Sequence, residues 1–129
     1  MSYNLFLDDI RVPSTAYVYT ENQIYHDWEW RIVRNYDEFV AHINEHGLPD
    51  FVSFDHDLAD IKYDPLTQRE SFEYHETHGL DCVKWLVDYC IDNDLDFPDY
   101  EVHSQNPVGM DNIHGYVKSF RSARERGIV

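Results

Sequence analysis

Short apolar-rich runs that end abruptly in acids, amides or imidazoles recur along this chain. Tyr3-Asn4-Leu5-Phe6-Leu7 runs into Asp8-Asp9, Asp50-Phe51-Val52-Ser53-Phe54 into Asp55-His56-Asp57, and Tyr100-Glu101-Val102-His103 into Ser104-Gln105-Asn106-Pro107. Runs this short predict strands rather than helices, and an apolar run with charge at its end predicts a buried strand whose C-terminal end carries a site. Trp30-Arg31-Ile32-Val33-Arg34 reads as a further strand, second in chain order. Three stretches carry helical spacing. Asn35 caps the first, with Glu38 as its capping-box partner, Phe39, Val40 and Ile43 on one face, and an end near Gly47. Leu80 to Ile91 sets Leu80, Val83, Leu86, Val87 and Cys90 on one face, and Gly109 to Arg126 does the same with Ile113, Tyr116, Val117 and Phe120.

Two stretches lack a clean period. Residues 12–28 are aromatic and β-branched without a stripe and are expected to be mostly loop. Residues 59–78 are polar, contain Pro65, and are expected to form a long loop or flap, a length that in a compact domain signals function.

The resulting order is strand, loop, strand, helix, strand, helix, strand, helix. Such alternation predicts an α/β chain: a single three-layer domain over residues 1–129, with a mostly parallel four-stranded sheet. Ligands of these sheets bind beyond the C-terminal strand ends. Asp8 and Asp9, Asp55 to Asp57, and His103 to Asn106 all fall there by sequence.

Composition narrows the partners. The chain has 129 residues, 43% of them hydrophobic and 16% aromatic, enough for a real core. With 10 Lys and Arg against 25 Asp and Glu, the net charge of −15 disfavours duplex DNA and anionic membranes. It still permits a small phosphorylated ligand held through a cation. It leaves any protein partner unassigned, although a basic surface could dock on so acidic a chain. Cys82 and Cys90 lie eight residues apart on one predicted helix, about 12 Å along its axis, which excludes a disulfide between them. Buried reduced thiols, with no leader, lipidation signal or apolar run of membrane length, lead to the expectation of a cytoplasmic protein.

If the first and third strands are neighbours, Asp8, Asp9 and Asp55 meet. Three carboxylates in one place call for a hard cation, Mg²⁺ or Mn²⁺; otherwise they form a solvated acidic strand end. Arg11 is a phosphate clamp or a salt-bridge partner of those acids. His56 and His103 are candidate general acid and base, or hydrogen-bonded structural histidines. Ser104, Asn106 and the helix start at Gly109 form a candidate phosphate cradle, or a plain capped turn. Asp57 or Asp81 could orient a histidine. His42 with His46, and His75 with His78, are weaker pairs without a third placed ligand.

Four motifs in order carry a resemblance over nearly the whole chain: Leu7-Asp8-Asp9-Ile10-Arg11-Val12-Pro13, Ser53-Phe54-Asp55-His56-Asp57-Leu58, His78-Gly79-Leu80-Asp81, and Val102-His103-Ser104-Gln105-Asn106-Pro107-Val108-Gly109. Together they resemble the cyclic-phosphate-processing receiver-like domain. The resemblance implies a receiver-like, flavodoxin-like fold with the fifth strand missing, since no strand ending in lysine follows Ser104 and Lys118 lies inside the closing helix. It implies that Asp8 and Asp9 match the receiver acidic pair, Asp55 the phosphoacceptor position and Ser104 the phosphate-sensing hydroxyl, while His56, His103 and Asn106 are additions. The implied activity is metal-dependent processing of a cyclic phosphate on an RNA end or a nucleotide. The alternatives are a non-catalytic atypical receiver or nucleotide sensor, an acidic interaction protein, and, on Asp55-His56-Asp57, a haloacid-dehalogenase-like phosphatase.

Overall fold

A computed structural model describes residues 2–55, 58–64, 69–75, 78–103 and 107–129, the backbone alone being described for 58–64, 69–75 and 78. Four strands form one sheet: β1 (Asn4–Leu7), β2 (Arg31–Val33), β3 (Phe51–Phe54) and β6 (Asp99–Val102), in the order β2-β1-β3-β6. Every pairing in it is parallel, with Leu7 opposite Val33 and Phe54, and Phe54 opposite Val102. The expected parallel α/β architecture is therefore observed, and β1 and β3 are neighbours. The ladder runs one residue past the strands. Asp8 N–H donates to the Val33 carbonyl at 3.1 Å, Asp55 N–H to Leu7 at 3.0 Å and His103 N–H to Phe54 at 3.0 Å. Asp8, Asp55 and His103 are thus held in one row across the sheet by backbone hydrogen bonds.

Side chains alternate between faces along each strand. One set, Leu5, Leu7, Val52, Phe54 and Val102, packs into the larger core. Its other walls are α3 (Tyr36–His46) through Phe39 and Ile43, α4 (His78–Asp92) through Cys82, Val83 and Leu86, and α5 (Pro107–Glu125) through Ile113, Val117 and Phe120. Each such side chain contributes about 1.5–3 kcal/mol on burial. The opposite face places Phe6 against Ala16 of α1 (Pro13–Thr20) and Tyr25 of α2 (Ile24–Asp27), with Tyr17, Tyr19, Ile24 and Trp30 around them. Asn35 caps α3 as its sequence predicts, its Oδ1 accepting from Glu38 N–H at 2.8 Å. Gly47 ends the helix at φ 85°, a left-handed value that favours glycine.

Two expectations are corrected. Residues 12–28 are not mostly loop but hold α1 and α2, with Pro13 at the first helical position and Val12 extended before it. The stripe is missing because α1 buries only Ala16 fully and meets the sheet through half-buried tyrosines. The described residues within 59–78 are not loop. They hold the strands β4 (Leu58–Asp64) and β5 (Arg69–His75), paired antiparallel, and the first residue of α4. The register sets Ala59 opposite Tyr74 and Ile61 opposite Phe72. That period-two signal is diluted in the sequence by the acids between these residues. Among the described residues, no helix is long and apolar enough to cross a membrane.

Candidate functional site

The row at the strand ends is built by parity. Phe6 and Asp8 share one face of β1, Ser53 and Asp55 continue it on β3, and His103 continues it past Val102, which faces the larger core. The three row residues are almost fully buried: Asp8 is 1% exposed, Asp55 4% and His103 1%. One ligand-type atom from each lies within 4.8 Å of the others.

Asp8 is saturated from one side. Its Oδ1 accepts from the N–H groups of Ile10 (3.0 Å) and Arg11 (2.8 Å), curling the chain after β1, and its Oδ2 meets His103 Nε2 at 3.0 Å. Burial raises its pKa. The hydrogen bonds from His103 and the two N–H groups, with the His103 charge interaction, outweigh that and hold the carboxyl at about 2 against an ordinary 3.8. Arg34, at the end of β2, donates from Nη1 to the carbonyls of Asp8 (3.3 Å) and Arg11 (2.6 Å) and so ties down the same turn. Arg11 lies over the Tyr19 ring, 5.3 Å from its centroid, and donates to the Tyr19 hydroxyl at 3.4 Å. Burial lowers the Arg11 pKa, but Tyr19, Asp8 and Asp55 outweigh it and raise it, so the guanidinium stays charged beside both acids.

His103 is enclosed. Its ring stacks on Phe6 with centroids 4.4 Å apart and planes 8° from parallel. Its Nδ1 meets Ser53 Oγ at 2.6 Å, and Ser53 Oγ meets the Tyr25 hydroxyl at 2.6 Å. Desolvation lowers its pKa below the ordinary 6.5, outweighing the hydrogen bond and charge of Asp8, which raise it. With both nitrogens engaged and 1% exposure, its geometry agrees with the alternative of a hydrogen-bonded structural histidine behind Asp8.

Of the other expected site residues, Asp9 is half-buried next to Asp8, and Gly109 is buried in the first turn of α5. Asp81 is half-buried in the first turn of α4, and the carboxylate that meets His103 is Asp8. His56, Asp57, Ser104 and Asn106 lie outside the described residues. The rings of the weaker pair His42 and His46 lie 4.5 Å apart and tilted by 39°, with Arg31 Nη1 3.4 Å from His42 Nε2. Cys82 and Cys90 are buried thiols as expected, both with pKa raised by burial, Cys90 to about 11. Ser53, Tyr25, Tyr19 and Arg34 were not singled out by sequence. Ser53 left a signal: a hydroxyl inside an apolar strand must find a partner.

A family model, the cyclic-phosphate processing receiver domain, matches residues 3–119. The chain belongs to this family. The four-stranded parallel sheet flanked by helices agrees with a receiver-like fold, and the family description points to a phosphorylated substrate. No curated protein and no solved structure matches the chain.

Proposed function

We propose that this member of the cyclic-phosphate processing receivers hydrolyses a cyclic phosphate, on an RNA end or in a cyclic nucleotide, with a divalent cation held by Asp8, Asp9 and Asp55. The observation that carries the reading is the buried row: Asp8 and Asp55 are 1% and 4% exposed, and their oxygens lie within 4.8 Å. Two carboxylates so close and so buried repel each other when both are ionised, and a cation relieves that repulsion. The donor chemistry fits a hard ion. The Nε2 of His103 is spent on Asp8, which leaves carboxylate oxygens, suited to Mg²⁺ or Mn²⁺ rather than zinc.

When bound, the cation supplies charge that polarises the phosphoryl oxygens. The chain supplies the rest. Arg11 is the guanidinium for a phosphate oxygen. Ser104, Asn106 and the first turn of α5 at Gly109 are the residues assigned to the others. In the hydrolysis a water oxygen bonds to phosphorus and one ring P–O bond breaks. One water proton is removed and the leaving oxygen gains one, so the product is a phosphomonoester. His56 is the assigned proton carrier; His103 holds Asp8 in place.

The test is hydrolysis of 2′,3′-cyclic nucleotides and cyclic-phosphate-ended RNA in Mg²⁺ or EDTA, beside Asp55→Asn. Turnover that needs metal and is lost in the variant supports the reading. No turnover on either substrate, with metal binding intact, overturns it in favour of a phosphate sensor or an atypical receiver that takes a phosphoryl group on Asp55.

A further inference from the structure

The line Tyr25, Ser53, His103, Asp8 crosses the interior from α2 to the end of β1, and hydrolysis as proposed makes no use of its first two members. Its protons can be counted. The Tyr25 hydroxyl has one hydrogen, and its only acceptor among the described residues is Ser53 Oγ, 2.6 Å away. Burial pushes the phenol pKa well up, so the hydrogen stays. Tyr25 therefore donates to Ser53. The single hydrogen of Ser53 then points to its other neighbour, His103 Nδ1, at 2.6 Å. Nδ1 must be a bare acceptor, and the one ring hydrogen sits on Nε2, 3.0 Å from Asp8 Oδ2. Every donor in the line points toward Asp8. The other tautomer would turn an Nδ1 hydrogen toward Ser53 Oγ, leave the Ser53 hydrogen without an acceptor among the described residues, and set a bare Nε2 against the Asp8 carboxylate; Ser53 is fully buried, and an unmet buried donor is costly.

We infer that Tyr25 and Ser53 are positioning residues that fix His103 as an Nε2–H donor to Asp8. The consequence rests on the reading of Asp8 as a cation ligand. Asp8 is held by a donor whose direction Ser53 and Tyr25 set, so the orientation of its carboxylate toward the ligand depends on both. Partners of this kind behind a metal ligand typically change metal affinity about 10- to 100-fold when removed.

The experiment is ¹⁵N spectroscopy of labelled histidine at one neutral pH, with Mn²⁺ titration as a separate readout, on the native chain, Ser53→Ala, Ser53→Thr and Tyr25→Phe. In the native chain, His103 Nδ1 is expected as a hydrogen-bonded bare nitrogen and Nε2 as an N–H. Ser53→Ala should move Nδ1 to an unbonded position and weaken Mn²⁺ about 10-fold, and Ser53→Thr, which keeps the hydroxyl, should restore both. Tyr25→Phe keeps the buried ring, so it serves if Ser53→Ala does not fold; its Nδ1 should move in the same direction by less. A native Nδ1 that carries a proton overturns the inference, as does an Nδ1 position insensitive to both the Ser53 and the Tyr25 variants. The expected nitrogen pattern without Mn²⁺ binding overturns the cation reading of Asp8 and supports the hydrogen-bond line.

Discussion

The two faces of one sheet solve different problems. The face under α3, α4 and α5 is apolar, with Leu5, Leu7, Val52, Phe54 and Val102 packed in a cluster of aliphatic, aromatic and thiol side chains. The face under α1 and α2 begins the same way, with Phe6, Ala16 and Tyr25. It then admits Ser53, His103 and Asp8 in a hydrogen-bonded file, all buried. The first face has no partner to lose, because dispersion and the hydrophobic effect are non-directional. The second depends on each partner, since one missing hydrogen bond strands a buried polar atom. Stability is therefore concentrated on one face and chemistry on the other, four residues of β1 serving both.

The largest effect should come from the apolar face. Phe54→Ala removes a fully buried ring and should cost about 3–5 kcal/mol in denaturant unfolding. A cost below about 1 kcal/mol would mean that this face is not the stabilising one. Next is acid. Asp8 is held at about 2 in the fold against 3.8, so the unfolded chain takes up its proton first as pH falls. The stabilisation, about 2 kcal/mol, is complete above 3.8 and should be lost between 3.8 and about 2. His103, held neutral below its ordinary 6.5, adds a loss of the same sign that begins as pH drops below 6.5. Replacing the imidazole by a ring of similar shape, His103→Phe, retains the stack on Phe6 and removes the donor to Asp8. The acid limb attributed to Asp8 should then shrink when unfolding is followed from pH 7 to pH 2; an unchanged limb would place its origin elsewhere. Asn35→Ala, at the cap of α3, should cost about 1 kcal/mol and leave the acid limb alone. The smallest effect belongs to the surface cluster in which half-buried Arg124 meets the exposed Asp94 and Asp96. Arg124→Gln should leave Tm unchanged within error, because ion pairs in water are screened.

The strand ends were legible because burial writes itself into sequence as an apolar run, and the break to Asp8, Asp55 or Ser104 marks where the run meets polarity. The cap at Asn35 was legible because its partner, Glu38, is three residues away. α1 was not, since Tyr17 and Tyr19 pack through aromatic rings and leave no stripe around Ala16. The hairpin of β4 and β5 was hidden by the acids between its apolar positions.

By itself the sequence determined the alternation of strands and helices, the parallel sheet it demands, and the acids at the strand ends. These follow from local periodicity and from the chirality of parallel crossovers. Only the tertiary structure decided that Asp8, Asp55 and His103 form one row, and that His103 is buried with both ring nitrogens engaged. His103 lies 95 residues from Asp8 and 50 from Ser53 in the chain, so their contacts leave no local pattern. The β2-β1-β3-β6 order and its register create them. Parity then turns the three side chains toward the same face, where burial leaves each hydrogen bond a single direction.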